Sequence, residues 1–149
     1  MHRAEALRDL SREHHEALVL ARRARSAGSA DVQTQCAHLL KRWATQFEPH
    51  FAREEQTLLP ALAQAGHTAP VALALEQHAA LRQLVERLCT GDLQALAAWG
   101  EAMDTHVRYE ERTLFPLAQT VLDPSVLTDV MNRTAHNPPS SPNPERQRP

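Results

Sequence analysis

The chain is expected to be all-α: an antiparallel, up-down-up-down four-helix bundle with an internal two-helix duplication. Three observations point there. Ala, Leu, Arg, Glu and Gln are plentiful, whereas the 149 residues include only 4 glycines and 4% aromatics, a bias that favours helices over sheets. Apolar residues recur at helical spacing in four long stretches joined by short turns. The segment from His50 to Pro60 is nearly repeated from His106 to Pro116, each reading H-x-x-x-E-E-x-T-L-x-P.

The elements follow in order. The first helix is expected from about Arg3 to Ser26, with Leu7, Leu10, His14, Ala17, Leu18 and Ala21 on one face. Ala27-Gly28-Ser29 ends it, and Asp31 is the expected N-cap of the next. The second helix spans about Val32 to Gln64. Pro49 inside it should kink it beside His50, and Pro60 should bend it again, because proline donates no backbone hydrogen bond. After the turn at Ala65–Thr68, with Thr68 as N-cap, a third helix runs from about Ala69 to Cys89. Thr90-Gly91-Asp92 makes the next turn, with Asp92 as N-cap, and the fourth helix runs from Leu93 to about Val121. A short helix after Pro124 carries Val126, Val130 and Met131. Residues 1–133 are thus expected to form the bundle. Residues 134–149, rich in Pro, Asn, Ser, Gln and Arg, form a tail expected to be disordered, since it has too little apolar surface for a core.

The duplication aligns the faces. A shift of 56 residues lays the second helix on the fourth: His50 on His106, Glu54 on Glu110, Trp43 on Trp99 and Phe47 on Met103. A shift of 64 lays the first on the third, placing His14 on His78 and Leu20 on Leu84. Pairing His15 with His78 instead would set Arg22 against Val85, a poorer match of faces, so His14 is read as inward and His15 as its alternative.

Each helix then contributes one inward histidine: His14, His50, His78 and His106. Glu54 and Glu110, four residues beyond His50 and His106, point the same way. A single mid-helix histidine is ordinarily a core or surface side chain, and one His-x-x-x-Glu pair is ordinarily a surface ion pair. Two such pairs with matching apolar flanks, faced by two further histidines, predict a buried metal site, because buried imidazoles and carboxylates need partners and a cation supplies them. A carboxylate has two oxygens and can bridge two ions, so the set describes a dinuclear site. Glu55 and Glu111 are expected to be solvated or to accept hydrogen bonds behind the site. Tyr109 is expected to pack in the core or to hydrogen-bond near the site. Trp43, Phe47, Trp99 and Met103 form core layers beside it, and His2, His38, His67 and His136 are left outside it.

The pattern H…HxxxE…H…HxxxE, over about Arg3 to Val121, resembles the hemerythrin-like family, or HHE cation-binding domain. The resemblance implies a non-heme diiron centre of two Fe ions joined by an oxo or hydroxo bridge. His14 and His50 would bind one ion, His78 and His106 the other, with Glu54 and Glu110 bridging. Zn or Mn would fit the same ligands. Oxygen-carrying members have a second histidine four residues from the third-helix ligand. Here Ala74 and Arg82 stand at that spacing, and neither ligates. The resemblance therefore implies open positions and chemistry with O2, NO or peroxide, for sensing, storage or detoxification, more than reversible oxygen carriage. A diiron peroxidase or oxidase is the enzyme alternative. Ferritin-like sites, however, place Glu before His at a spacing of three, the reverse of this order. An iron-responsive regulatory module is a third reading.

Composition narrows the partners. Formal charge is −2 with both signs interspersed, so no basic block suggests nucleic acid. No stretch approaches the roughly 20 apolar residues of a membrane span, and no signal-peptide core is seen. Cys36 and Cys89 are expected as reduced, buried thiols of a cytoplasmic protein.

Overall fold

In a computed structural model that describes residues 2–136, the chain is a four-helix bundle of up-down-up-down topology, with no strand among the described residues. A 3-10 turn at Glu5–Leu7 leads into α1 (Arg8–Ser26), so the regular helix starts later than the apolar spacing suggested. The second rod is three helices rather than one: α2 (Val32–Arg42), α3 (Glu48–Gln56) and α4 (Leu58–Gln64). The third rod is α5 (Thr68–Cys89). The fourth is α6 (Ala95–Tyr109) continued by α7 (Phe115–Val121), and α8 (Pro124–His136) follows. Helix α8 continues three residues past the expected bundle boundary at 133. The tail expected to be disordered lies, from 137 on, outside the described residues.

The interruptions trace to prolines. A π-helical turn, Trp43–Phe47, joins α2 to α3, and its closing bond runs from the Glu48 N–H to the Trp43 carbonyl. Pro49 comes next and has no N–H to continue the ladder, so the backbone widens by one residue before it. The second π-helical turn, Glu110–Leu114, closes with the Phe115 N–H on the Glu110 carbonyl, immediately before Pro116. Before Pro60 the defect takes another form. Thr57 leaves helical geometry (φ −122°, ψ −74°), and its hydroxyl donates to the Arg53 carbonyl at 2.6 Å. The two copies of the repeated motif therefore differ locally, one broken at its threonine and the other loosened from its glutamate onward.

Two expected caps are replaced. Asp92 receives Arg87 Nε at 2.9 Å, and Gln94 precedes the first turn of α6. Thr68 is already helical, with His67 before it. Asp31 does occupy the N-cap position of α2, without a side-chain capping bond.

Two apolar clusters fill the bundle, one on each side of a polar layer. The first gathers Ala17, Leu20, Trp43, Phe47, Phe51, Leu81, Trp99 and Met103. The second gathers Leu7, Leu10, Leu58, Ala74, Leu114 and Phe115, closed by Leu127, Val130 and Met131 of α8. On every rod the inward histidine lies between members of the two: His14 between Leu10 and Ala17, His50 between Phe47 and Leu58, His78 between Ala74 and Leu81, His106 between Met103 and Leu114. Helix α6 lies against both α1 and α5. Gly100 lets α1 approach closely, since a Cβ there would lie 2.6 Å from the Ala21 carbonyl oxygen.

Cys36 is buried, but Cys89 is exposed, correcting the expectation of two buried thiols; Cys89 ends α5 where the chain turns outward at Thr90. No described helix is long and apolar enough to cross a membrane.

Candidate metal centre

All six residues singled out in the sequence converge in the polar layer. His14, His50, Glu54, His78, His106 and Glu110 are buried, none more than 4% exposed. His15 is exposed on the outer face of α1, whereas His14 is buried among the other five. His2 and His38 are also exposed.

The six side chains form two overlapping groups. His14, His50, Glu54 and Glu110 present ligand atoms within 4.8 Å of one another, and so do Glu54, His78, His106 and Glu110. Both carboxylates belong to both groups. Glu110 Oε1 is 2.9 Å from His14 Nε2, 3.4 Å from His106 Nε2 and 3.9 Å from His50 Nε2. Glu54 reaches His78 Nε2 at 3.1 Å through Oε1 and His50 Nε2 at 3.4 Å through Oε2. Rings pack the layer in place: His78 stacks on Phe51 (centroids 3.9 Å apart) and His14 on Phe115 (5.4 Å).

Behind this layer stand acceptors that fix three of the four outer nitrogens. The Nδ1–H of His14 donates to Glu111 Oε2 at 2.6 Å, and that of His78 to Glu55 Oε2 at 2.6 Å. The second acid of each E-E pair is thus an acceptor behind the site. Two further partners went unread in the sequence. The Nδ1–H of His106 donates to Gln77 Oε1 at 2.6 Å, and Glu13 Oε1 lies 3.5 Å from His50 Nδ1. A signal existed: Glu13 and Gln77 each precede an inward histidine and coincide under the 64-residue shift. Such hydrogen bonds hold Nε2 toward the centre and raise its basicity as a ligand.

Outer residues fix the acceptors in turn. Glu111 receives Ser11 Oγ at 2.8 Å and Arg3 Nη2 at 3.1 Å. Glu55 receives Arg82 Nη1 at 2.8 Å, while Arg82 also clasps Glu48. Arg82 is therefore committed to carboxylates, and Ala74 is buried in apolar packing, so neither offers a further ligand to the centre. Tyr109 Oη donates to the Pro70 carbonyl at 2.9 Å, tying α6 to the start of α5 rather than to the centre.

Electrostatics match a site built for cations. Burial disfavours the imidazolium of His14, but hydrogen bonds to Glu110 and Glu111 outweigh it and push its pKa up to about 9. Burial likewise opposes charge on His50 and His78, and Glu54 above all raises both. Burial alone would raise Glu110, yet the charge of His106 and its imidazole hydrogen bonds hold it well below the usual carboxylate range. Even so, both ring nitrogens of His50, Glu54 Oε2, His106 Nε2 and Glu110 Oε2 are buried without a hydrogen-bond partner. Orphaned buried atoms of this kind are costly. With the imidazoles neutral, the Nε2 and Oε2 atoms among these present lone pairs to the shared interior, and cations there would satisfy them together. The donor set, imidazole nitrogen with carboxylate oxygen, suits iron, zinc or manganese.

Comparison with known proteins agrees. No curated protein and no solved structure matches the chain. One family model, described as the hemerythrin HHE cation binding domain, matches residues 5–118 and so spans all six residues. The chain belongs to the hemerythrin HHE cation-binding family.

Proposed function

We propose that the chain is a cytoplasmic non-heme diiron protein that binds a small ligand, O2, NO or peroxide, for sensing, storage or detoxification. One observation carries the reading: two four-residue ligand groups share both of their carboxylates. In this reading His14 and His50 hold one ion, His78 and His106 hold the other, and Glu54 and Glu110 link the pair. Bound iron supplies a ferrous–ferric couple and open coordination positions for the ligand.

The chain's own residues do the rest. Glu111, Glu55 and Gln77 keep three imidazoles turned so that Nε2 faces inward. Phe51 and Phe115 wall the layer with apolar surface, which excludes water and favours an uncharged diatomic over an ion. With Ala74 rather than a further histidine there, an ion held by His78 would have no additional imidazole ligand from that turn of α5.

The test is optical. Protein loaded with ferrous iron without oxygen is exposed separately to O2, NO and peroxide. New visible bands with one of them identify the ligand. Iron-loaded protein whose spectrum changes with none of the three would contradict the proposal.

A further inference from the structure

The two halves of the centre differ in the charge standing behind their imidazoles. On the His14–His50 side both Nδ1 atoms face carboxylates, Glu111 at 2.6 Å and Glu13 at 3.5 Å. On the His78–His106 side one faces a carboxylate, Glu55 at 2.6 Å, and the other faces the neutral amide oxygen of Gln77 at 2.6 Å. Each carboxylate hydrogen-bonded to an imidazole Nδ1 is also held by an arginine. Glu111 is paired with Arg3, and Glu55 with Arg82, which Glu48, standing behind no imidazole, shares. Glu13 forms no ion pair with an arginine among the described residues, so its charge is left for His50. The duplication makes Glu13 and Gln77 equivalent positions, and there the repeat exchanges a charge for an amide.

A carboxylate behind an imidazole makes it a stronger ligand and attracts the cation in front of it; an amide provides orientation without the charge. Glu13 also lines a surface groove of about 440 Å3 with Asp9, Arg12, Gln46 and Arg53.

Resting on the two-ion reading above, we propose that the centre is unequal by construction. The His14–His50 position takes the first cation and holds it more tightly, and the His78–His106 position fills second. Glu13 and Gln77 are the positioning residues that set this order.

The experiment is a Co2+ titration of the metal-free full chain, followed by the visible bands of bound cobalt. Wild-type protein is expected to load in two resolved steps. Glu13→Gln should weaken the first step about tenfold, and Gln77→Glu should tighten the second by a similar factor, the size typical of changes behind a metal ligand. The two steps draw together in each variant, and the double exchange separates them again with the spectral order reversed. Tightening by Gln77→Glu is decisive, because damage to the fold would weaken binding. Two bound ions with the same separation of steps in all four proteins would overturn the inequality alone. A folded wild-type chain that takes up no cobalt would overturn the two-ion reading and this inference with it.

Discussion

Gly100→Ala tests whether the α1–α6 contact is as close as described. The added Cβ would lie 2.6 Å from the Ala21 carbonyl oxygen, 2.8 Å from Arg25 Cγ and 3.2 Å from Ala24 Cβ. The Arg25 side chain can swing away, but Ala21 O belongs to the backbone of α1 and yields only if the helix moves. Overpacking of this kind costs about 3 kcal/mol at the upper end of its usual range. Alanine in place of helical glycine returns about 1 kcal/mol. The net loss is about 2 kcal/mol, or roughly 6–10 °C in Tm for a domain of this size. Because α1 carries His14 and the α6 rod carries Glu110, 2.9 Å apart, metal affinity should fall as well. Thermal unfolding of the metal-free variant by circular dichroism measures the first effect. An unchanged or higher Tm would mean that helix propensity outweighs the clash and that the helices are not held at this distance.

Other expectations concern the centre. His50→Ala and His106→Ala should each lower metal content and thermal stability together, because the surviving ligands lose a shared cation; His15→Ala, on the exposed face, should change neither. Metal-free protein should lose stability as pH rises. His14 has a folded pKa of about 9 against 6.5 unfolded, so its contribution is complete below pH 6.5 and disappears by about pH 9. The loss is on the order of 3 kcal/mol, read by urea unfolding at pH 6.5 and pH 9; equal midpoints would refute it. Glu110 acts in the opposite sense. Its lowered pKa contributes stability above its unfolded value and loses it as pH falls toward the folded one, so acid unfolding should set in below about pH 4.5. Ion uptake runs against the alkaline trend, because Nε2 must shed its proton to ligate, so affinity should rise between pH 6 and pH 8.

The sequence carried the centre further than it carried the backbone around it. The six inward residues were legible because helical periodicity and the two shifts of the duplication each selected them independently. His14 was read as inward over His15 from the apolar stripe it shares with Leu7, Leu10 and Leu18 and from the match of faces under the 64-residue shift. The prolines announced that the second and fourth rods were irregular, but not the form of the irregularity. Whether a rod widens into a π-helical turn, as at Trp43–Phe47, or breaks, as at Thr57, depends on which carbonyl the residues before the proline can reach. Glu13 and Gln77 went unread because their role exists only across helices: each lies behind a histidine of another rod. Arg3 was assigned to the first helix, yet it stands before the helical turns and reaches Glu111 over a separation of 108 residues. Gly100 lies in a helix interior with no turn to mark it, and its role appears only when α1 is placed against it. The misread exposure of Cys89 has a similar origin, since a residue at a helix end faces whichever way the following turn leads.

In the proposed centre Glu54 and Glu110 join two cation positions into one. Its most direct test is the iron-to-protein ratio after anaerobic ferrous loading and removal of excess metal, in the wild type and in Glu110→Ala. Since Glu110 belongs to both ligand groups, the expected result is two irons per wild-type chain and loss of both in the folded variant. A wild-type chain that retains none, or a Glu110→Ala chain that still holds two, would contradict it.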